Sequence, residues 1–187
     1  MQIDVNQMKR GVNVDLGDGI YCVVDTEHVK PGKGGAFIRA KLKDIASGAV
    51  IERMFRTNDK VDMALVEKRN IQYLYSANDI YEFMDCQTYD QIPLHREQLG
   101  NVINYLKENI EVTAIIYKNK IITLEGPIFI DLKVTSTEPG IRGDTSRAGT
   151  KPAKTESGIT VLVPLFINEG DTIRVDTRTG EYVNRVK

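Results

Sequence analysis

The chain has 187 residues, which is enough for one large domain or two to three small ones. Its formal net charge is −1, and its two cysteines, Cys22 and Cys86, are too few for a disulfide framework and lack metal-ligand spacing. Residues 1–10 lack the apolar region of a secretory signal, and no apolar run reaches the length of a membrane span. The composition therefore predicts a soluble, cytoplasmic protein.

Charge is distributed unevenly along the chain. Residues 1–63 and residues 127–187 each carry a net charge of +1, whereas residues 64–126 carry −3. Contact with phosphate needs only a local basic stripe. A total close to zero is therefore compatible with a factor that binds RNA and then leaves it.

The first distinctive motif is a glycine turn with one lysine at its apex. Pro31 presets φ for the second position of a turn, and Gly32 accepts the positive φ that a type II turn needs next. Gly34 and Gly35 leave Lys33 unshielded and let the backbone pass close to a partner. The motif indicates either a lysine held out on a stiff hairpin or an ordinary solvated turn. Its residues are Lys30, Pro31, Gly32, Lys33, Gly34 and Gly35.

Apolar and cationic residues alternate directly after this turn, which is the period of a half-buried strand. Between Lys30 and Lys43 there are five cations and no anion. The pattern predicts a basic outer strand face suited to a negatively charged partner. The outward cations are Arg39, Lys41 and Lys43.

Short strands dominate the rest of the first two thirds of the chain. Strands predicted at 19–24, 37–43 and 49–55 form a small twisted barrel of about sixty residues. Beyond it, the order of three strands, one helix and two strands is that of an OB barrel. Its clearest predicted elements are strands at 70–75, 80–84, 112–117 and 121–124 and a helix at 96–109.

The last third is also rich in strands, which are interrupted by a polar stretch. Strands are predicted at 128–134, 159–166, 172–176 and 182–186, and residues 136–157 are predicted to be a mobile loop. Composition alone slightly favours a tolerated insertion over an RNA-contacting loop. The residues of interest in the loop are Gly143, Asp144, Thr145, Arg147, Lys151 and Lys154.

Other chemistry is sparse. His28 and His95 have no cysteine partners in a zinc pattern, and no nucleophile motif is present, so no metal, cofactor or enzyme activity is predicted. The spaced acidic residues Asp79, Glu82 and Asp85 are expected to form a solvated strand face. Four aromatic residues suit either an RNA-stacking platform or, more often, a core: Tyr73, Tyr75, Tyr81 and Phe83.

Taken together, these motifs resemble the bacterial elongation factor P family over the whole chain. The run 30–37 is similar to the tip loop of the family. The pattern Lys151-x-Ala153-x4-Gly158-x2-Val161-x-Val163-Pro164-x2-Ile167-x2-Gly170 fits the family signature at every fixed position. The ending 175–187 is a third match, and the three matches occur in the expected order.

The resemblance implies a mainly β fold of three small barrels arranged in an elongated, L-shaped molecule similar to a transfer RNA. A KOW-like or SH3-like domain at 1–63 would carry the lysine tip loop. OB-fold domains would follow at 64–126 and 127–187.

The resemblance also implies a monomeric, non-enzymatic translation factor that binds the 70S ribosome between the P and E sites and relieves stalling at consecutive prolines. Lys33 would reach the end of the P-site peptidyl-tRNA, and in many members a modifying enzyme enlarges this lysine. Gly143, Asp144 and Thr145 match a loop that approaches the mRNA near the E site. Tyr182 and Arg185 match positions placed near the P-site tRNA.

An alternative function belongs to a different class of protein. A free OB-fold RNA-binding or RNA-chaperone module would bind single-stranded RNA with a steep salt dependence and little need for Lys33. A ribosome-bound factor would instead require Lys33 and occupy a saturable site on the ribosome.

Overall fold

The computed structural model describes residues 1–30, 35–139 and 149–186. Strands make up most of these residues, and the predicted mainly β fold is confirmed. Within the same ranges, no helix is long and apolar enough to cross a membrane. The helical segments there are α1 (Arg96–Leu99) and two 3₁₀ turns, Val5–Gln7 and Gly100–Tyr105.

The first sheet has six strands and contains the hairpin that leads to the lysine turn. Its strands pair antiparallel in the order β1-β6-β2-β3-β4-β5. The strands are β1 (Gln2–Asp4), β2 (Asn13–Asp15), β3 (Ile20–Val29), β4 (Phe37–Asp44), β5 (Val50–Arg56) and β6 (Lys60–Met63).

The core of this sheet follows the predicted alternation in β4. Ile38, Ala40 and Leu42 are fully buried and pack with Val14 and Val23. Complete burial of a side chain such as leucine or isoleucine contributes about 1.5–3 kcal/mol to folding. The pairing register of β4 is therefore fixed by its apolar face, and the intervening residues must face outward.

The second sheet has five strands in the order β11-β10-β7-β8-β9, with α1 between β9 and β10 in sequence. This is the predicted OB order of three strands, a helix and two strands. The strands are β7 (Glu67–Ala77), β8 (Ile80–Asp85), β9 (Gln91–His95), β10 (Glu111–Tyr117) and β11 (Lys120–Glu125).

The helix predicted at 96–109 is much shorter in the structure, so its predicted length is wrong. The α-helix ends at Leu99, and a 3₁₀ turn continues to Tyr105. The cause is Gly100, which has φ 55° and ψ −139° and interrupts helical geometry. Leu99 and Val102 are still buried, so the apolar spacing reflected packing rather than a continuous helix.

The third sheet has five antiparallel strands in the order β14-β13-β12-β15-β16. Its core includes Leu132, Val134, Val163 and Ile173, all of which are almost completely buried. The strands are β12 (Phe129–Thr137), β13 (Thr150–Thr155), β14 (Thr160–Pro164), β15 (Thr172–Asp176) and β16 (Glu181–Val186).

The predicted loop 136–157 is wrong at both ends, because β12 continues to Thr137 and β13 occupies Thr150–Thr155. Strand β13 was not predicted, because two of its three inward-facing residues are polar. Lys151 and Thr155 are buried beside Ala153. Thr155 Oγ1 hydrogen-bonds the Ile159 carbonyl at 3.2 Å, so this polar group is satisfied inside the sheet.

Internal contacts group the chain into two compact units. The first consists of Met1–Arg69 and Ala114–Leu124, and the second of Asn70–Thr113 and Glu125–Lys187. The predicted domain boundaries at 63/64 and 126/127 stay a prediction.

Replacing Gly100 by alanine should destabilise the protein by about 1–3 kcal/mol, because only glycine adopts this backbone conformation without strain. Urea unfolding measures the loss. Gly35→Ala is the matched control, since a Cβ at Gly35 would meet no atom within 4 Å and its φ lies outside the strained range. Equal stability of the two variants would contradict the role assigned to Gly100.

Candidate nucleic-acid interface

The hairpin of β3 and β4 ends at the segment in which the lysine turn is predicted. Its ladder runs from the Tyr21–Asp44 pair to the Val29–Phe37 pair. The eight residues of β4 span roughly 26 Å at the usual rise of a strand. Lys30 and Gly35 flank this segment, and both are exposed. The remaining predicted turn residues, Pro31, Gly32, Lys33 and Gly34, lie outside the described residues.

The basic stripe of β4 lies on the outward face of the first sheet, as its alternation predicted. Arg39, Lys41 and Lys43 are separated by the buried residues of the core. Lys41 and Lys43 are exposed, and Arg39 is partly exposed. The structure therefore brings the three predicted cations together along one strand.

Carboxylates on both neighbouring strands face this stripe. Glu27 of β3 lies opposite Arg39, with Oε2 3.4 Å from Nη1. Glu52 of β5 lies opposite Lys41, with Oε1 3.8 Å from Nζ. Ion pairs that are this exposed contribute about 0–1 kcal/mol each. The cations can therefore exchange these partners for a phosphate at little cost.

Lys43 differs from the other two cations. It pairs across the sheet with Cys22 and Val50, neither of which is charged. Among the residues that the structure describes, no carboxylate lies within ion-pair distance of its ammonium group. Lys43 is thus the stripe cation whose charge is least compensated.

Tyr182 and Arg185 share one face of β16 because of a β-bulge. The pairing shifts so that Tyr182 lies opposite Val175 and Arg185 lies opposite Ile173. Val175 and Ile173 are two residues apart and therefore point to the same face of β15. Without the extra residue, Val183, side chains three positions apart would point to opposite faces. The structure thus brings the two predicted contact residues together.

One cation of the predicted loop 136–157 does not lie at the surface. Lys151 is only 5% exposed and donates a hydrogen bond from Nζ to the Glu138 carbonyl at 2.7 Å. It holds the two sides of the segment together, so its expected role as a surface cation is wrong. Lys154 is exposed. Gly143, Asp144, Thr145 and Arg147 lie outside the described residues.

The aromatic residues of the second sheet divide between core and surface. Tyr73 and Phe83 are buried with ring centroids 5.4 Å apart, which confirms their predicted core role. Tyr75 is 52% exposed because a register shift next to Leu74 moves it to the other face. Tyr81 is partly buried, with its ring centroid 6.4 Å from that of Tyr73. A stacking platform of all four rings is therefore excluded.

The prediction of a solvated acidic strand face is wrong for one residue, Asp85. Asp85 is only 2% exposed, and its Oδ1 accepts the backbone N–H groups of Gln87 and Thr88 at 2.7 and 3.1 Å. The carboxylate closes the turn before β9 rather than facing solvent. An aspartate followed by a short polar segment is the signal that indicates such a turn.

A polar cluster that the sequence did not reveal links β2 to the end of β10 within the first compact unit. Asp15 Oδ2 accepts a hydrogen bond from the Tyr117 hydroxyl at 3.0 Å and lies 3.3 Å from Lys118 Nζ. The Gly17 backbone N–H, followed by these two side chains, lowers the pKa of Asp15. The Asp15–Gly17 turn is visible in the sequence, but its partners, about 100 residues away, are not.

The described residues contain no group of side chains suited to a metal ion. In the described ranges, no three His, Cys, Asp or Glu side chains could hold a metal ion. An open groove of about 500 Å³ in the second compact unit has two carboxylates in its lining, which are unsuited to phosphate. It is lined by Tyr73, Leu106, Lys107, Glu108 and Glu156.

One ion pair lies in the turn that follows β15, at the start of the ending 175–187 that resembles the family. Arg178 donates from Nε and Nη2 to the two carboxylate oxygens of Asp176, at 3.1 and 2.6 Å. The Arg178 side chain, with help from its own backbone N–H, lowers the pKa of Asp176 to about 2. This cation therefore has a partner within its own turn.

Comparison with known families assigns each sheet to a domain. Residues 4–61 match the Elongation factor P (EF-P) KOW-like domain, residues 66–124 the Elongation factor P (EF-P) OB domain, and residues 130–185 the C-terminal domain of elongation factor P. A KOW-like domain, an OB domain and a third β domain, with a cationic hairpin in the first, define a translation factor.

Relatives match over almost the full chain. Elongation factor P of Thermoanaerobacter sp. (strain X514) is 49% identical over 184 residues, which cover 98% of this chain and 100% of the relative. Elongation factor P of Caldanaerobacter subterraneus subsp. tengcongensis is 50% identical over 184 residues with the same coverage. The chain belongs to the elongation factor P family.

Solved structures show a related fold over two thirds of the chain. Eukaryotic translation initiation factor 5A from Methanococcus jannaschii matches 66% of this chain and 93% of its own, with 29% sequence identity and a TM-score of 0.51. A translation initiation factor eif-5a family protein from Naegleria fowleri matches 67% of this chain and 97% of its own, with a TM-score of 0.51. Its sequence identity is 16%, so this second likeness concerns the fold alone.

Replacing Arg178 by glutamine should raise the pKa of Asp176 from about 2 towards its ordinary value of 3.8. A carboxyl group with a lowered pKa stabilises the fold above its unfolded pKa, and this contribution is lost as the pH falls through the folded pKa. The variant should therefore be less stable than the wild-type protein above about pH 4, and this difference should disappear as the pH falls from about 4 to about 2. NMR titration of the carboxyl carbon measures the pKa. Arg185→Gln, which leaves this pair intact, should not move it.

Proposed function

We propose that this translation factor binds the ribosome between the P and E sites and positions the P-site peptidyl-tRNA through Lys33, thereby relieving stalling at consecutive prolines. The observation that carries the proposal is the hairpin of β3 and β4, whose ladder stays paired up to Val29 and Phe37. Lys33 belongs to the short segment that joins these two residues. The family of the chain supports a role in translation.

The chemistry of the proposal is positioning. Proline is a poor substrate for peptide-bond formation because its ring fixes φ and restricts the geometry of the nascent chain. An ammonium group on a paired hairpin can donate hydrogen bonds to phosphate and ribose oxygens at the end of the tRNA. Holding reactants in an attack geometry contributes up to about 7–11 kcal/mol in favourable model systems. The peptidyl-transferase chemistry itself remains that of the ribosome.

The other predicted contacts are part of the same proposal. Arg39, Lys41 and Lys43 would face RNA phosphates along the hairpin, and Tyr182 and Arg185 would contact the P-site tRNA. The loop containing Gly143, Asp144 and Thr145 would approach the mRNA near the E site. We also propose a cytoplasmic monomer with domains at 1–63, 64–126 and 127–187, and a lysine-modifying enzyme as a further partner.

Replacing Lys33 by alanine should abolish relief of polyproline stalling while the fold stays intact. We expect peptide-bond formation on a Pro-Pro-Pro template to slow by at least about tenfold, equivalent to ~1.4 kcal/mol. Quench-flow kinetics with purified ribosomes measures the rate. Lys30→Ala removes the neighbouring exposed cation and should have a much smaller effect. Wild-type rates in the Lys33 variant would refute the assignment of Lys33.

Replacing Lys43 by glutamine should weaken ribosome binding and reduce the slope of log affinity against log salt concentration by about 1, since one phosphate contact is lost. Equilibrium binding to 70S ribosomes at several salt concentrations measures the slope. Lys60→Gln is the control, because it makes the same charge change on β6. If both variants behave alike, only the total charge matters and the stripe has no specific role.

A further inference from the structure

Asp171 lies beside Arg185 and is fixed by the backbone around it. Its Oδ2 accepts the Asn168 N–H at 2.8 Å, and its own N–H donates to the Asn168 carbonyl at 3.1 Å. Its carbonyl accepts the Val134 N–H at 2.8 Å. The side chain is only 17% exposed. Asp171 is therefore a rigid carboxylate at the turn that precedes β15.

The second oxygen of this carboxylate is directed at the guanidinium group of Arg185. Asp171 Oδ1 lies 3.5 Å from Arg185 Nε, and the Arg185 side chain is 48% exposed. Within the part of the chain that the structure describes, the terminal nitrogens of Arg185 have no hydrogen-bond partner. The Asp171 carboxylate thus lies beside one edge of the guanidinium group, while the outer edge remains available to a ligand.

We propose that Asp171 is a positioning residue, which orients Arg185 so that its terminal nitrogens bind a phosphate of an RNA backbone next to Tyr182. The inference rests on the proposed function, because the RNA is the tRNA that Tyr182 and Arg185 would contact. A guanidinium group binds a phosphate best through two parallel N–H donors in one plane. A carboxylate at Nε sets that plane and limits the rotation of a long, flexible side chain.

The competing role for Asp171 is simple charge compensation, which would weaken the attraction of Arg185 for phosphate. The two roles predict opposite effects of removing the negative charge. A positioning residue strengthens RNA binding, so its loss weakens it. A compensating charge weakens RNA binding, so its loss strengthens it.

Asp171→Asn separates these roles without removing the turn. The amide oxygen of asparagine can still accept the Asn168 N–H, but its NH₂ group is then left facing Arg185, and two donors do not attract each other. We expect the dissociation constant for 70S ribosomes carrying peptidyl-tRNA in the P site to rise roughly two- to fivefold, in the range of a single exposed charged contact. Fluorescence titration of labelled full-length protein measures it.

A double-mutant cycle tests whether Asp171 acts through Arg185. In an Arg185→Gln background, Asp171→Asn should cause no further loss of affinity, because residues that act together are not additive. Asp176→Asn is the matched control, since it breaks the Arg178 pair at the other end of β15 and should leave affinity unchanged. Thermal unfolding of each variant checks that the fold is retained.

A second variant keeps the inference testable if Asp171→Asn fails to fold. Arg185→Lys retains the positive charge but removes the guanidinium group that Asp171 orients. We expect it to bind as weakly as Arg185→Gln. Wild-type affinity of the Arg185→Lys variant would mean that charge alone suffices, and the role of Asp171 would be overturned.

The remaining outcomes distinguish the inference from the proposed function. Tighter or unchanged binding by Asp171→Asn overturns the positioning role, and if Arg185→Gln still weakens binding, the RNA contact of Arg185 stands. An Arg185→Gln variant with normal affinity overturns both the positioning role and that contact. The Lys33→Ala kinetics test the proposed function independently of either result.

Discussion

The pairing of β4 with β3 on one side and β5 on the other is the constraint on which the candidate interface depends. Ile38, Ala40 and Leu42 are fully buried, so the register of β4 cannot shift by one residue without placing cations in the core. The same burial directs the cations outward and keeps the ladder paired to its last residues before the turn. Core packing and presentation of the lysine segment therefore have one physical cause.

Electrostatic compensation explains how a chain with a net charge of −1 can present a basic stripe. Glu27 and Glu52 lie across the sheet from Arg39 and Lys41, within 3.4 and 3.8 Å. Such exposed pairs are weak and are screened by salt. These carboxylates lower the attraction of the basic stripe for any free polyanion. A partner of matching shape can still displace them. Compensation of this kind reduces non-specific binding of polyanions to the stripe.

Much of the fold follows from periodicity, but the exceptions have physical reasons. The strand alternation and the OB order were predicted, because apolar side chains mark buried faces. The helix predicted at 96–109 does not form in full, because Gly100 stops it. Strand β13 was not predicted, because Lys151 is buried against a carbonyl rather than solvated. The shared face of Tyr182 and Arg185 depends on a bulge that no periodic pattern contains. Contacts between distant residues, such as Asp15 with Tyr117, are invisible to local reasoning.

The family signature in the third sheet is mainly a packing motif. Ala153, Val161, Val163 and Ile167 are all buried, and Lys151 bonds within its own domain. Gly170 adopts φ +89°, which permits the turn that places Asp171. The residues that make the signature recognisable therefore build the scaffold. The contact residues that we propose on β16 lie outside it, and their direction depends on one inserted residue and one partly buried carboxylate. A sequence motif of this kind identifies the fold with high specificity, whereas the contact surface has to be derived from strand register and side-chain geometry.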